Sequence, residues 1–167
     1  FDSEDFITAQ DNLAGISGRK KYRIRWYNND YKNINYEIKL KKNNLGQKYS
    51  LISNAKIENL NDLFSIKNEF LKKKENDFFL NKLWLKDLKP KLKIAYLRSY
   101  YLYKRKIRIT FDKKISYELL NQSSSSKDKF DDHMNVIELK FELKDSDLAL
   151  ELIKESNFVP KRFSKYL

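Results

Sequence analysis

The sequence predicts an α+β fold, an antiparallel β-barrel with helices packed on its outside. Three observations predict it. Segments of strict two-residue alternation put charged side chains on one face and apolar or aromatic ones on the other, as in antiparallel sheets. Stretches with helical spacing of apolar residues lie between and after these segments. The apolar strand faces need cover, and helices laid over them turn the charged faces inward, into the lumen of a closed sheet.

The elements follow in chain order. Residues 19–27 alternate, with Lys21, Arg23 and Arg25 on one face and Tyr22, Ile24 and Trp26 on the other. A second strand over 34–41 sets Glu37, Lys39 and Lys41 against Tyr36, Ile38 and Leu40. Asn28-Asn29-Asp30 is turn chemistry and makes the pair a hairpin. Asn43-Asn44-Leu45-Gly46 turns the chain into a shorter strand around Lys48–Ile52. Asn61 or Asp62 caps a helix carrying Leu63, Phe64, Phe70 and Leu71, and a second helical segment follows through Phe78, Phe79, Leu83 and Trp84 up to Pro90. The Lys72-Lys73-Lys74 run reads as its solvated face.

Strands resume at 92–101, with Tyr96, Arg98 and Tyr100 on one side. In 104–112, Lys104, Lys106, Arg108, Thr110 and Asp112 oppose Ile107, Ile109 and Phe111. Residues 121–135, with the serine run Ser123–Ser126, read as a polar, mobile loop. The strand 136–143 sets Glu138, Lys140 and Glu142 against Ile137, Leu139, Phe141 and Leu143. Ser146 caps a last helix to about Glu155, and a basic tail runs from Pro160 to Tyr166.

Length and composition bound the rest. A chain of 167 residues fits one domain with a real core. Eleven Tyr and eleven Phe favour strands and thick cores. The absence of Cys excludes disulfides, thiolate metal sites and Cys nucleophiles, and suits a reducing, cytoplasmic setting. No apolar run is long enough to span a bilayer. A formal charge of +12, from 35 Lys plus Arg against 23 Asp plus Glu, calls for an anionic partner.

Position sharpens that expectation. A flat antiparallel sheet with one wet face would also explain the alternation. Against it, Arg is concentrated on strand faces of a chain otherwise dominated by Lys: Arg23, Arg25, Arg98 and Arg108. The guanidinium fork suits bidentate contact with phosphate and stays charged when partly desolvated. Enclosed like charges repel unless an anion is bound, so an inward basic face points to a polyanion site.

Other chemistries drop out. The sequence has neither a Gly-rich phosphate loop nor G-x-G-x-x-G. The sole histidine, His133, sits beside Asp131 and Asp132 and reads as a solvated loop residue. No Ser-His-Asp set can be assembled. Phosphoryl transfer by positioning and charge neutralisation remains, with a divalent metal held by carboxylate. Glu138 is the candidate ligand; a cross-strand ion pair with an Arg is the competing reading of it.

At these residues the sequence resembles the VTC domain, the polyphosphate polymerase domain of the vacuolar transporter chaperone complex, within the wider group of triphosphate tunnel enzymes. The matching segments are Tyr22-Arg23-Ile24-Arg25-Trp26-Tyr27, Glu37-Ile38-Lys39, Tyr96-Leu97-Arg98, Arg108-Ile109-Thr110-Phe111-Asp112, Ile137-Glu138-Leu139-Lys140 and Phe163-Ser164-Lys165-Tyr166, with Phe1-Asp2 before them. The resemblance implies a closed antiparallel tunnel that binds ATP and polyphosphate or triphosphate. It implies a metal-dependent transfer of the γ-phosphate of ATP to a growing polyphosphate chain. It matches Arg23, Arg25, Lys39, Arg98 and Arg108 to phosphate-binding positions and Tyr96 to a tyrosine donating to phosphate. Glu138 matches the ligand of Mn2+ or Mg2+, and Ser164 and Lys165 match the end of the tunnel. Lys21, Lys41 and Lys140 share those faces and join the expected phosphate contacts. A family first strand is expected before Phe1.

Alternatives within the same reading are a triphosphate or nucleotide hydrolase, with water as acceptor, and a polyanion binder without catalysis. Most aromatics alternate away from the basic faces, which disfavours stacked nucleic-acid bases.

Overall fold

Period-two alternation becomes strand over most of each stretch where it was read, although the strand expected over 136–143 ends at Lys140 and Leu143 enters a 3-10 turn. The computed structural model describes residues 1–28, 30–42, 45–53, 56–73, 87–120, 128–161 and 163–167. The second helical segment expected through Phe78, Phe79, Leu83 and Trp84, and the serine run, lie outside the described residues. The chain is α+β and divides into two compact units, Phe1–Leu92 with Leu167, and Lys93–Tyr166.

The first unit holds helix α1 (Ile7–Leu13), strands β1 (Lys20–Arg25), β2 (Ile34–Lys42) and β3 (Leu45–Ser53), and helix α2 (Leu60–Lys73). The strands form an antiparallel sheet in the order β1-β2-β3. Its apolar face buries Tyr22, Ile34, Tyr36 and Ile38 against Ile66 of α2 and against Leu88, with Phe1, Ile24, Leu40, Tyr49 and Ile57 at the margin. Each fully buried aliphatic side chain there contributes roughly 1.5–3 kcal/mol relative to exposure.

Caps explain where the helices begin. Helix α1, which the sequence did not announce, starts on a residue whose side chain cannot cap, Phe6 at φ 54°. Its orphan N–H groups are taken instead by earlier side chains. Ile7 N donates to Ser3 Oγ at 3.0 Å, Thr8 N to Asp2 Oδ1 at 2.9 Å and Ala9 N to Asp2 Oδ2 at 3.1 Å. The cap of α2 is Asn59, upstream of the expected Asn61 or Asp62. Asp62 N donates to Asn59 Oδ1 at 3.3 Å while Asp62 Oδ2 accepts from Asn59 N at 2.9 Å, a reciprocal capping box. Lys67, buried on α2, donates Nζ to the Leu88 carbonyl at 2.9 Å, and burial lowers its pKa.

The second unit holds β4 (Leu92–Tyr103), whose first residue closes the first unit, β5 (Ile107–Leu119), β6 (Lys129–Asp132), β7 (Val136–Lys140), a 3-10 turn (Leu143–Asp145) and helix α3 (Ser146–Ser156). β4 neighbours β5, and both β6 and β7 pair antiparallel with β5. β6 and β7 are one broken strand. Asp112 pairs with Val136 and Ile115 with Asp132, so Lys113 and Lys114 face His133, Met134 and Asn135 across a bulge. Lys114 takes φ 52° there. The expected loop 121–135 therefore contains strand at 129–132, and His133 is an exposed residue of the bulge. Ser146 opens α3 as its first helical residue, behind Asp145, whose carboxylate meets Lys106 at 3.4 Å.

Two further expectations change. The strand expected from 104 begins at Ile107, because Lys104 and Arg105 form the two-residue loop of the β4–β5 hairpin. Both are left-handed (φ 45° and 56°), and Lys106 N donates to Tyr103 O at 3.0 Å. This is a type I′ geometry, which suits the strand twist but prefers Asn-Gly. The expected barrel is also not seen: among the described residues neither sheet closes on itself. Closure requires the outer strands of a sheet to pair. The ladders instead stop at β1 and β3 in one sheet, and at β4 and the β6–β7 strand in the other.

Ile38→Ala should destabilise the first unit by about 2–5 kcal/mol in urea titrations, through the lost side chain and the cavity it leaves. Replacing Lys104-Arg105 by Asn-Gly should stabilise the protein by about 0.5–1 kcal/mol, because it relieves two left-handed non-glycine residues. Thermal unfolding of the double variant reads that gain.

Candidate functional site

The register of the first sheet places its charges in rows. Lys21, Lys39 and Lys48 are directly opposite one another across β1, β2 and β3. The next row is Arg23, Glu37 and Ser50, and the one after it Arg25, Asn35 and Ile52. Like charges placed opposite one another destabilise a sheet. The lysine row therefore calls for negative charge close by, and Glu37 supplies it to Lys48.

Glu37 is the resident negative charge of this face. Its side chain is only 5% exposed and pairs with Arg23 Nε, with Lys48 Nζ at 2.6 Å and with Arg25 Nη1 at 3.9 Å. Burial pushes the Glu37 carboxyl up, but the Lys48 hydrogen bond and the Arg23 and Arg25 charges outweigh it and hold the pKa below the usual value. One carboxylate thus orders three cations, while Lys21, Lys39 and Lys41 add positive charge on the same strand face. Lys48 was missing from the sequence-derived set. Its place follows from β3's alternation only once the pairing of Lys39 with Lys48 is known.

The second unit repeats the device. Asp112, fully buried on β5, accepts from Arg98 on two bonds, Nε to Oδ1 at 2.5 Å and Nη2 to Oδ2 at 2.6 Å. Lys165 Nζ, from the tail, meets Asp112 Oδ2 at 2.5 Å. Burial raises the Asp112 carboxyl, and the bonds to Arg98 and Lys165 more than reverse this. The same bonds push the Arg98 pKa up. Both cations also lie against the Tyr96 ring, whose centroid is 5.0 Å from the Arg98 guanidinium and 4.9 Å from Lys165 Nζ.

Further along β5, Arg108 faces Lys140 and Thr110 faces Glu138. The first pair is again a like-charge pair. Glu138 meets Lys140 Nζ at 3.4 Å and Arg98 Nη2 at 4.0 Å. Its side chain is half exposed, and among the described residues no group of three or more His, Asp or Glu could hold a metal ion. As a single accessible carboxylate it suits a magnesium- or manganese-type ion that takes its other ligands from phosphate oxygens and water. Ser164 turns inward on its own segment, its Oγ accepting from Tyr166 N at 3.4 Å.

The sequence-derived residues thus fall into two groups. Lys21, Arg23, Arg25, Lys39 and Lys41 share the charged face of the first sheet, centred on Glu37. Arg98, Tyr96 and Lys165 meet at Asp112, with Glu138 and Lys140 extending from Arg98, and Arg108 beside Lys140. The carboxylates at the centre of each group, Glu37 and Asp112, are what the sequence-derived set lacked.

Among the described residues no helix is long and apolar enough to cross a membrane. No curated protein matches this chain. The family model of the VTC domain matches residues 1–167, the whole length. Ordered Arg and Lys strand faces around buried carboxylates, and a match from end to end, lead to one statement: the chain belongs to the VTC domain family, a group related to polyphosphate polymerases.

Proposed function

We propose that this domain binds ATP and inorganic polyphosphate or triphosphate on its Arg- and Lys-bearing strand faces and passes the γ-phosphate of ATP to the growing chain. The observation that carries the reading is the row Lys21, Lys39 and Lys48, three basic residues directly paired across all strands of one sheet, with Lys48 also meeting Glu37. Such a row matches a ligand with negative charge repeated along its length. Membership of the VTC domain family supports the same substrate class.

The chain's own residues would act by position and charge. Arg23 is oriented by Glu37 and Arg98 by Asp112 before a ligand arrives, and Arg25 lies near the same Glu37 carboxylate. Arg98 uses its Nε and one Nη2 hydrogen on Asp112, which leaves Nη1 for a phosphate oxygen. Charge that spreads over the equatorial oxygens of a transferring phosphoryl group is neutralised by fixed cations at little reorganisation cost. A divalent ion, Mn2+ or Mg2+, held by Glu138 and phosphate oxygens would add to that neutralisation. A barrel closed from antiparallel strands, excluding water from the phosphates, is the fold part of the proposal. Nucleic acid fits less well, since Tyr22 and Tyr36 of the first sheet are buried in the core and offer bases no stacking platform.

Arg23→Ala and Arg108→Ala should each weaken tripolyphosphate binding by about 1.5–3 kcal/mol in calorimetric titrations, as for lost hydrogen bonds to charged groups. An unchanged isotherm would remove that residue from the site. Incubation with ATP and Mn2+ should yield phosphate chains resolvable on gels, whereas free phosphate without chain growth would identify a hydrolase. Glu138→Gln should reduce the metal-dependent reaction while sparing metal-free tripolyphosphate binding, and equal loss of both would contradict the metal role.

A further inference from the structure

Among the described residues, a buried polar atom on the charged face of the second unit has no hydrogen-bond partner. Thr110 lies on β5 between Arg108 and Asp112, with Glu138 directly opposite. The residue is 6% exposed, and its Oγ1 is buried without a hydrogen bond. A buried hydroxyl left unsatisfied costs free energy comparable to a lost hydrogen bond, so a threonine here is worse than the isosteric valine unless something completes it. β-Branching does not explain it, because Val fits a strand equally well.

The surroundings define what is missing. Arg108 and Lys140 form the adjacent row, and Arg98 and Lys165 are clustered on Asp112, one alternate position along β5. These are donors in excess. The hydroxyl, next to them, has a proton and nothing to give it to. A ligand that satisfies both the cations and this proton presents many oxygen acceptors and negative charge, and offers no competing donors. A phosphoryl group is that ligand. Glu138, the cross-strand neighbour, has a side chain 45% exposed and can swing aside to admit an oxygen to Thr110.

We propose that the Thr110 hydroxyl is a phosphate-contacting group, donating a hydrogen bond to a non-bridging oxygen of a phosphoryl unit that also faces Arg108 and Lys140. The inference rests on the phosphate-binding function proposed above and assigns it one further residue. Thr110 adds direction to the site where the cations add charge, since a hydroxyl on a stiff β-branched side chain reaches only along its rotamers. The unsatisfied hydroxyl is a cost to the ligand-free protein that bound phosphate removes.

The test is the pair Thr110→Val and Thr110→Ser, with tripolyphosphate as probe and two readouts, the calorimetric Kd and the ligand-free Tm. Removing one hydrogen bond to a charged acceptor should weaken binding roughly tenfold in the valine variant. Its ligand-free Tm should stay level or rise, because the unsatisfied hydroxyl is gone. The serine variant should bind within about twofold of wild type, since it keeps the donor. Valine binding as tightly as wild type would overturn the proposal while leaving the phosphate site standing. A lower ligand-free Tm in the valine variant would also overturn it, by showing that the hydroxyl has a structural partner. Wild-type protein that takes up no tripolyphosphate would sink the functional reading itself, and this inference with it.

Discussion

Repulsion among cations held in register on β-strands is the constraint around which this protein is organised. Lys21, Lys39 and Lys48 face one another across one sheet, and Arg108 faces Lys140 in the other. Like charges at directly paired strand positions cost free energy that neither alternation nor hydrogen bonding of the backbone recovers. Each sheet answers with a single buried carboxylate: Glu37 gathers Arg23, Arg25 and Lys48, and Asp112 gathers Arg98 and Lys165. Both carboxyls are held ionised below their usual pKa despite burial, so each is a permanent internal anion. Those anions balance only part of the positive charge. A surplus kept on rigid strands in this way is the preorganised charge on which the proposed phosphate seat rests.

That seat depends on apolar packing behind it. In the first unit, the alternate residues of the same strands, Tyr22, Tyr36 and Ile38, are locked against Ile66 and Leu88. Because side chains alternate across a strand, fixing the apolar set fixes the direction of the charged set as well. Helix caps contribute at one remove. Asp2 and Ser3 start α1 beside the bridge from Asp2 to Lys89, and the Asn59–Asp62 box starts α2, whose Ile66 completes the core.

Among the described residues, left-handed non-glycine backbone lies at helix ends (Phe6, Asn157), in turns and at the bulge. Lys104, Arg105 and Lys114 hold left-handed backbone without glycine, and all three lie outside the residues grouped around Glu37 and Asp112. In the second unit, the bulge at His133–Asn135 lets one continuous edge of β5 be covered by β6 and β7 while shifting the pairing by a residue. Without that shift β7 would present Ile137 and Leu139, in place of Glu138 and Lys140, beside Thr110 and Arg108.

The sequence by itself determined which side chains share a strand face, because alternation is a property of neighbours two residues apart. Arg23 with Arg25, Arg108 with Thr110 and Asp112, and Glu138 with Lys140 were legible on that ground. The family resemblance was legible too, since it rests on short motifs in order. Where elements end was less so: α1 is capped from Asp2 across several residues, and the tight Lys104-Arg105 turn lacks the glycine that would mark it. Only the tertiary structure decided which charge meets which. The lysine row requires the register of three strands, and the Asp112 cluster joins residues far apart in the chain, Arg98 and Lys165. Such pairings depend on long-range hydrogen bonding and burial, and the chemistry of a residue's immediate neighbours does not encode them.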